Sequence, residues 1–235
     1  MKHVFVCQKA RRQPGCWCVA FFLIWLSLAS QSPCGASDPL SICEILEHVQ
    51  HRYAAADFEA DFFQESHLKA MGMVDAAQGH VSFKPPAMMR WHYKTPEEYF
   101  IMTDGQTVWV YRPTGNQVMV GRAAEYFGDI KWAAFFTEPG ALLEDFVVQW
   151  APSEVQTEKH FVLRLLPKRR RPSLVQIDLS VSKRTFDIVQ SVTCNAFGDK
   201  TTIRFEGFRF NQGLDASLFR FQIPKDADVF QLEAN

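Results

Sequence analysis

From about Asp57 to Phe210 apolar residues recur at every second position for most of the chain, and a period of two held for that long leaves little to fold into except β-sheet. Phe58, Ala60 and Phe62 alternate with Glu59 and Asp61; Val81 and Phe83 with His80, Ser82 and Lys84; Met89, Trp91 and Tyr93 with Arg90 and His92. Each such strand has one apolar and one wet face, the pattern of an antiparallel sheet. Asp104-Gly105 marks a tight hairpin turn between Tyr99–Thr103 and Thr107–Tyr111, and Pro113-Thr114-Gly115-Asn116 turns the chain into Gln117–Val120. Strands are expected again at Phe146–Trp150, Phe161–Leu166, Leu174–Val181, Ile188–Phe197 and Thr201–Phe210, with a bulge at Gly207, where apolar residues change face. Between roughly Ala123 and Asp145 the alternation fails, and there Ala123–Phe127 and Pro139–Leu143 read as short helices. A meander of about eleven strands cannot lie flat without exposing its edges and a whole apolar face, so it must curl. The expected fold is mainly β (α+β), a curved antiparallel sheet with its apolar face inward. Its interior is either filled by side chains or left hollow for a ligand, and the pattern does not choose.

Ahead of the sheet, Asp38 is a candidate N-cap with Pro39 at the first helical position, and Ile42, Ile45, Leu46, Val49 and Tyr53 follow at helical spacing. Glu44, Glu47, His48 and His51 fall opposite that stripe as i, i+4 pairs, which reads as a solvated face rather than a metal site.

The first residues follow other rules. Lys2, Lys9, Arg11 and Arg12 precede the apolar run Val19–Leu26, and small and polar residues follow to Ala36. That is the order of a secretory signal peptide, and an apolar run of about ten residues falls short of the ~20 needed to span a bilayer. Cys34-Gly35-Ala36 fits the cleavage pattern, with Ser30 and Ser32 as earlier alternatives; Gln31-Ser32-Pro33 departs from what precedes a lipid-anchored cysteine. The expectation is a cleaved leader over residues 1–36 and one soluble domain over 37–235. Of the 25 basic residues four lie in the leader, with none of the 26 acidic ones, which leaves 21 against 26 and a net charge of −5. Nucleic acid is a poor partner for such a chain. Cys43 and Cys194 are the cysteines left in an oxidising compartment, and the pattern does not say whether they pair.

Motifs that carry chemistry are missing. The seven histidines lack zinc spacing, and there is no G-x-S-x-G elbow, phosphate loop or dinucleotide fingerprint. Cys43, between Ile42 and Ile45, reads as structural. The expectation is therefore a binding protein rather than an enzyme, without cofactor or metal; a hydrolase is the least supported alternative. Lys168-Arg169-Arg170-Arg171 reads as a solvated hairpin loop, with an anionic membrane surface or an acidic partner as the alternative. Aromatic residues make up 14% of the chain, 21 of them Phe. A curved inner face of that character suits acyl chains, since burying each CH₂ is worth about 0.8 kcal/mol without directional demands.

Three segments resemble the periplasmic lipoprotein carrier family LolA. Phe58-Glu59-Ala60-Asp61-Phe62-Phe63-Gln64 is similar to its first strand, F-x-A-x-F-x-Q. Gly79-His80-Val81-Ser82-Phe83-Lys84-Pro85-Pro86, followed by Met88-Met89-Arg90-Trp91-His92-Tyr93, resembles its G-x-[LFV]-x-[FWV]-K-R-P segment with the aromatic ending. Pro96 to Pro113, with Gln117-Val118, is the most specific match. The resemblance implies an unclosed half-barrel of about eleven strands under a helical lid. It also implies a monomeric periplasmic carrier that takes the acyl chains of lipoproteins from an inner-membrane ABC transporter and hands them to an outer-membrane receptor. On that reading Phe58, Phe62, Val81, Phe83, Met89, Trp91 and Trp109 line or support the lipid cavity. The family's K-R-P arginine, associated with holding the lid, is Pro85 here, and Arg90 is the candidate to replace it as a lid contact. A lipid or glycolipid carrier or sensor on the same fold is the alternative in function, and a periplasmic module with a filled interior the alternative in class.

Overall fold

The structure, a computed structural model, describes residues 40–54, 56–127, 142–170 and 172–232. The expected leader, Asp38, Pro39, the stretch 128–141 and with it the first part of the helix expected at Pro139–Leu143 lie outside the described residues.

Helix α1 (Ile42–Tyr53) begins at Ser41 rather than at Asp38. The reason is a capping box. Ser41 Oγ accepts from the Glu44 backbone N–H at 3.3 Å, and Glu44 Oε2 accepts from the Ser41 N–H at 2.8 Å, so two otherwise orphaned donors are satisfied reciprocally. The hydrogen bonds from Ser41 hold the Glu44 carboxyl below its usual range.

The strands are β1 (Phe58–Leu68), β2 (Met73–Lys84), β3 (Met88–Thr95), β4 (Tyr99–Thr103), β5 (Thr107–Arg112), β6 (Gln117–Arg122), β7 (Phe146–Trp150), β8 (His160–Pro167), β9 (Gln176–Ser182), β10 (Ile188–Cys194), β11 (Lys200–Phe210) and β12 (Asp228–Gln231). Two single-turn helices, α2 (Ala123–Tyr126) and α3 (Leu142–Asp145), fall where the alternation fails. The twelve strands of the described residues form one unclosed sheet in the order β12-β6-β5-β4-β3-β2-β1-β11-β10-β9-β8-β7. β12 is one more strand than the pattern predicts, and it runs parallel to β6. Its four residues are all exposed and carry no alternation to detect; it is set in place by Asn116, whose side chain donates to the Asp226 carbonyl at 2.9 Å.

The turn chemistry acts as predicted. Gly105 takes φ 96° while Asp104 Oδ1 accepts from the N–H groups of Gln106 and Thr107. At Gly207 (φ 65°) the β1–β11 register slips from Glu59↔Arg209 to Asp61↔Glu206, which is the expected bulge.

The core lies on the concave face. α1 buries Ile45, Leu46, Val49 and Tyr53 there against Phe58, Phe83 and strands β7 to β11, at about 1.5–3 kcal/mol for each large apolar side chain. Tyr53 Oη accepts from the Ile188 N–H at 3.0 Å, and Arg52 pairs with Asp187 at 2.7 Å, so the helix's last turn is fixed to the start of β10. The convex face is also covered in part. Asp57, buried where β1 begins, accepts from the N–H groups of Gln212 (2.6 Å) and Leu214 (2.7 Å), and this turns the chain back so that Phe219 is fully buried under the outer side of β3 and its neighbours. Cys194 carries a free thiol, so the two cysteines are not bridged.

Candidate functional site

The sheet curls across β3-β2-β1-β11. Three strand spacings would set β3 and β11 about 14 Å apart on a flat sheet, yet the rings of Trp91 and Phe205 approach to 5.9 Å. What lets them converge is the floor between them. Gly79 has no side chain, and the ring of Phe62 occupies its place, packed edge-on against Trp91 (4.9 Å) and Tyr93 (4.8 Å).

Above this floor is a cavity of about 200 Å³. One wall is Met89, Trp91, Tyr93 and Ile101 of β3 and β4; the other is Leu179, Ile188, Ser191, Ile203 and Phe205 of β9 to β11. Phe127, just past α2, borders it as well. The walls offer almost nothing polar. Tyr93 Oη donates to Gln64 Oε1 at 3.1 Å, its ring stacks on Tyr99 at 4.1 Å, and burial raises both phenol pKa values, so both stay neutral. Ser191 Oγ is buried without a hydrogen-bond partner in the structure. Such a surface can exclude water and hold apolar groups; it offers no nucleophile paired with a base, and no group of three His, Cys, Asp or Glu side chains gathers among the described residues.

Of the residues proposed from sequence, Met89 and Trp91 line this cavity. Phe58, Phe62, Val81 and Phe83 belong to the packed core beside and beneath it; the rings of Phe58 and Phe83 stack at 5.3 Å. Trp109 and Arg90 are turned the other way. Paired residues of an antiparallel ladder share a face, and the ladder runs Arg90↔Met102↔Trp109, while Trp91↔Ile101↔Val110 faces the cavity. On the convex side Arg90 donates to the Leu218 carbonyl at 3.4 Å and to Met102 Sδ at 3.1 Å, and Lys84 Nζ donates to the Leu214 carbonyl at 2.7 Å. Half-burial lowers the Arg90 pKa. Arg90 thus clamps the C-terminal segment on the face opposite the cavity, because only an even-numbered offset from Met89 and Trp91 would have put it inside. Tyr93, Ile101, Phe127, Leu179, Ile188, Ser191, Ile203 and Phe205 were missed; most lie on strands whose alternation is legible, but that β11 lies beside β1 and brings the two walls together is not.

Comparison with known proteins agrees with this architecture. Residues 54–222 match the family model described as outer membrane lipoprotein carrier protein LolA. An outer-membrane lipoprotein carrier protein of Azotobacter vinelandii is 27% identical over 170 residues, covering 72% of this chain and 79% of that one. One of Alcanivorax borkumensis is 30% identical over 166 residues, covering 69% and 72%. Among solved structures, an uncharacterized conserved protein from Thermus thermophilus superposes with a TM-score of 0.54 at 16% identity, covering 81% of this chain and 98% of that one, which is a likeness of fold. No helix of the described residues is long and apolar enough to cross a membrane.

Proposed function

Since the chain belongs to the LolA family of outer-membrane lipoprotein carriers, we propose that it holds the acyl chains of lipoproteins on its concave face and carries them through the periplasm. In this reading it receives cargo from an inner-membrane ABC transporter and passes it to an outer-membrane receptor, acting as a monomer that binds without catalysis, cofactor or metal. The leader over residues 1–36 would direct its export, leaving 37–235 as the carrier domain.

The observation that carries the proposal is the cavity: an apolar hollow of about 200 Å³ where the sheet curls, with Met89 and Trp91 on one wall and Phe205 on the other. Acyl chains suit it because methylene burial needs no partner atoms, only the removal of water. Phe58, Phe62, Val81 and Phe83 would then act as the rigid support that keeps the walls apart. The volume lies below the roughly 300–1,000 Å³ common for small-molecule pockets, which favours modest affinity and therefore release to a receptor.

Mass spectrometry of molecules that co-purify with the exported protein tests this. Acylated peptides, displaced in step with a fluorescent acyl probe, are the expected result. Free lipid or glycolipid as the sole occupant would assign a different cargo, and absence of any acyl-probe binding would refute the carrier reading.

A further inference from the structure

Away from the cavity, three loops meet at one end of the sheet. The β1–β2 turn and the β10–β11 turn are joined by the Lys69 N–H donating to Asp199 Oδ1 at 2.8 Å, and Lys69 covers Gly198. The β10–β11 turn is joined to the β8–β9 loop by the Ala196 N–H donating to the Pro172 carbonyl at 2.9 Å. Hydrogen bonding therefore makes these three tips one continuous rim.

That rim exposes side chains that a water-facing turn does not call for. Phe197 is 70% exposed, Met71 67%, Val74 55% and Met73 51%. Val175 is exposed beside them, next to a cleft of about 340 Å³ between Arg169, Arg170, Pro172 and Ala196. Around the apolar tips stand Lys69, Lys168, Arg169, Arg170 and Lys200, against Asp75 and Asp199; Glu144 and Asp145 of α3 adjoin Lys168, whose Nζ donates to the Leu143 carbonyl at 2.6 Å, and farther along β1 the Glu65 carboxylate is paired with His67. The cationic character concentrates at Arg169 and Arg170, which line the cleft, although residues 37–235 as a whole carry 21 basic against 26 acidic groups.

We propose that this rim docks the protein on an anionic membrane surface, Phe197 and Met71 entering the interface while Arg169 and Arg170 meet lipid phosphates. Splayed side chains on convex turn tips fit a fluid plane better than a folded partner, which would need a groove to receive it. Guanidinium beside an apolar cleft matches a phosphate with its acyl chains beneath, and arginine grips phosphate with two parallel hydrogen bonds. The rim shares no residue with the cavity wall, so the inference stands independently of the cargo.

The test is binding of cargo-free protein, exported and purified without detergent, to vesicles of phosphatidylcholine with an equal share of phosphatidylglycerol, against vesicles of phosphatidylcholine alone. Expected are clear preference for the anionic vesicles and weakening by added salt. Near an anionic surface each cation is worth about fivefold, so Arg169→Ala with Arg170→Ala should weaken binding about 25-fold while acyl-probe binding stays unchanged. Phe197→Ser should weaken binding to both vesicle types. Equal affinity for the two compositions, an unaffected double variant, or retention only on vesicles carrying a membrane protein would overturn the proposal.

Discussion

Ser191→Leu separates what the cavity does for function from what it costs in stability. The hydroxyl of Ser191 lies on the cavity wall, opposite Leu179 and Ile203 in the ladder, and has no hydrogen-bond partner. Leaving a buried donor unsatisfied costs about 1–3 kcal/mol. Leucine removes that penalty and puts three carbons where one oxygen stood, so the empty protein should gain about 3–5 kcal/mol, as denaturant unfolding would record. An open hollow of about 200 Å³, at about 24 cal/mol per Å³, represents on the order of 5 kcal/mol that a guest can recover by filling it. Three carbons already in place withdraw about 2.4 kcal/mol from that guest, about fiftyfold in the affinity of a fluorescent acyl probe. A variant that unfolds at higher denaturant yet binds the probe weakly is the expected result. Unchanged probe affinity in a folded variant would mean that acyl chains do not enter between Ser191 and Trp91, and lower stability would mean that the hydroxyl is satisfied.

Three further substitutions follow from the packing. Gly79→Ala would drive a methyl group into the His92 carbonyl oxygen and to 2.9 Å from the Phe62 ring; a loss of about 3 kcal/mol or more is expected by denaturation, and near-neutral stability would show that the floor yields. Tyr53→Phe leaves the Ile188 N–H without its acceptor inside the core, which should cost about 1–3 kcal/mol and speed hydrogen exchange at that amide. Glu59 lies against opposing effects: burial raises its pKa, but hydrogen bonds from His80, Ser82 and Arg209 prevail and hold it below its ordinary 4.5. A depressed folded pKa contributes stability that is present above the ordinary value and is lost as pH falls through the folded one, so Glu59→Gln should flatten the decline of stability in acid below that point; identical acid profiles for the two proteins would refute the assignment.

The fold was legible wherever one face of a strand is wet. In β1 the pattern Phe58-Glu59-Ala60-Asp61-Phe62 puts carboxylates outside and apolar groups inside, and the structure agrees. Asp104-Gly105 and Gly207 were legible because each needs a backbone conformation that few residues accept. β12 was not, since a short exposed strand is specified by its partner β6 rather than by its own residues. At the start of α1 the sequence carries two competing cap signals, Asp38-Pro39 and the capping-box spacing Ser41-x-x-Glu44, and the reciprocal hydrogen bonds of the second prevail.

Faces failed where both sides of the sheet are dry. The C-terminal segment buries Phe219 outside, and Tyr111 meets Phe221 there at 5.0 Å. Strand β5 therefore reads Thr107-Val108-Trp109-Val110-Tyr111, with apolar groups at successive positions, and alternation no longer says which of them faces in. The register resolves it through a residue that cannot face a dry cavity unpaired: Arg90 must find acceptors, finds one on the Leu218 carbonyl outside, and fixes Met102 and Trp109 on its own side. Wherever a sheet is covered on both faces, the charged residue in each ladder is thus a better guide to the cavity than the largest aromatic.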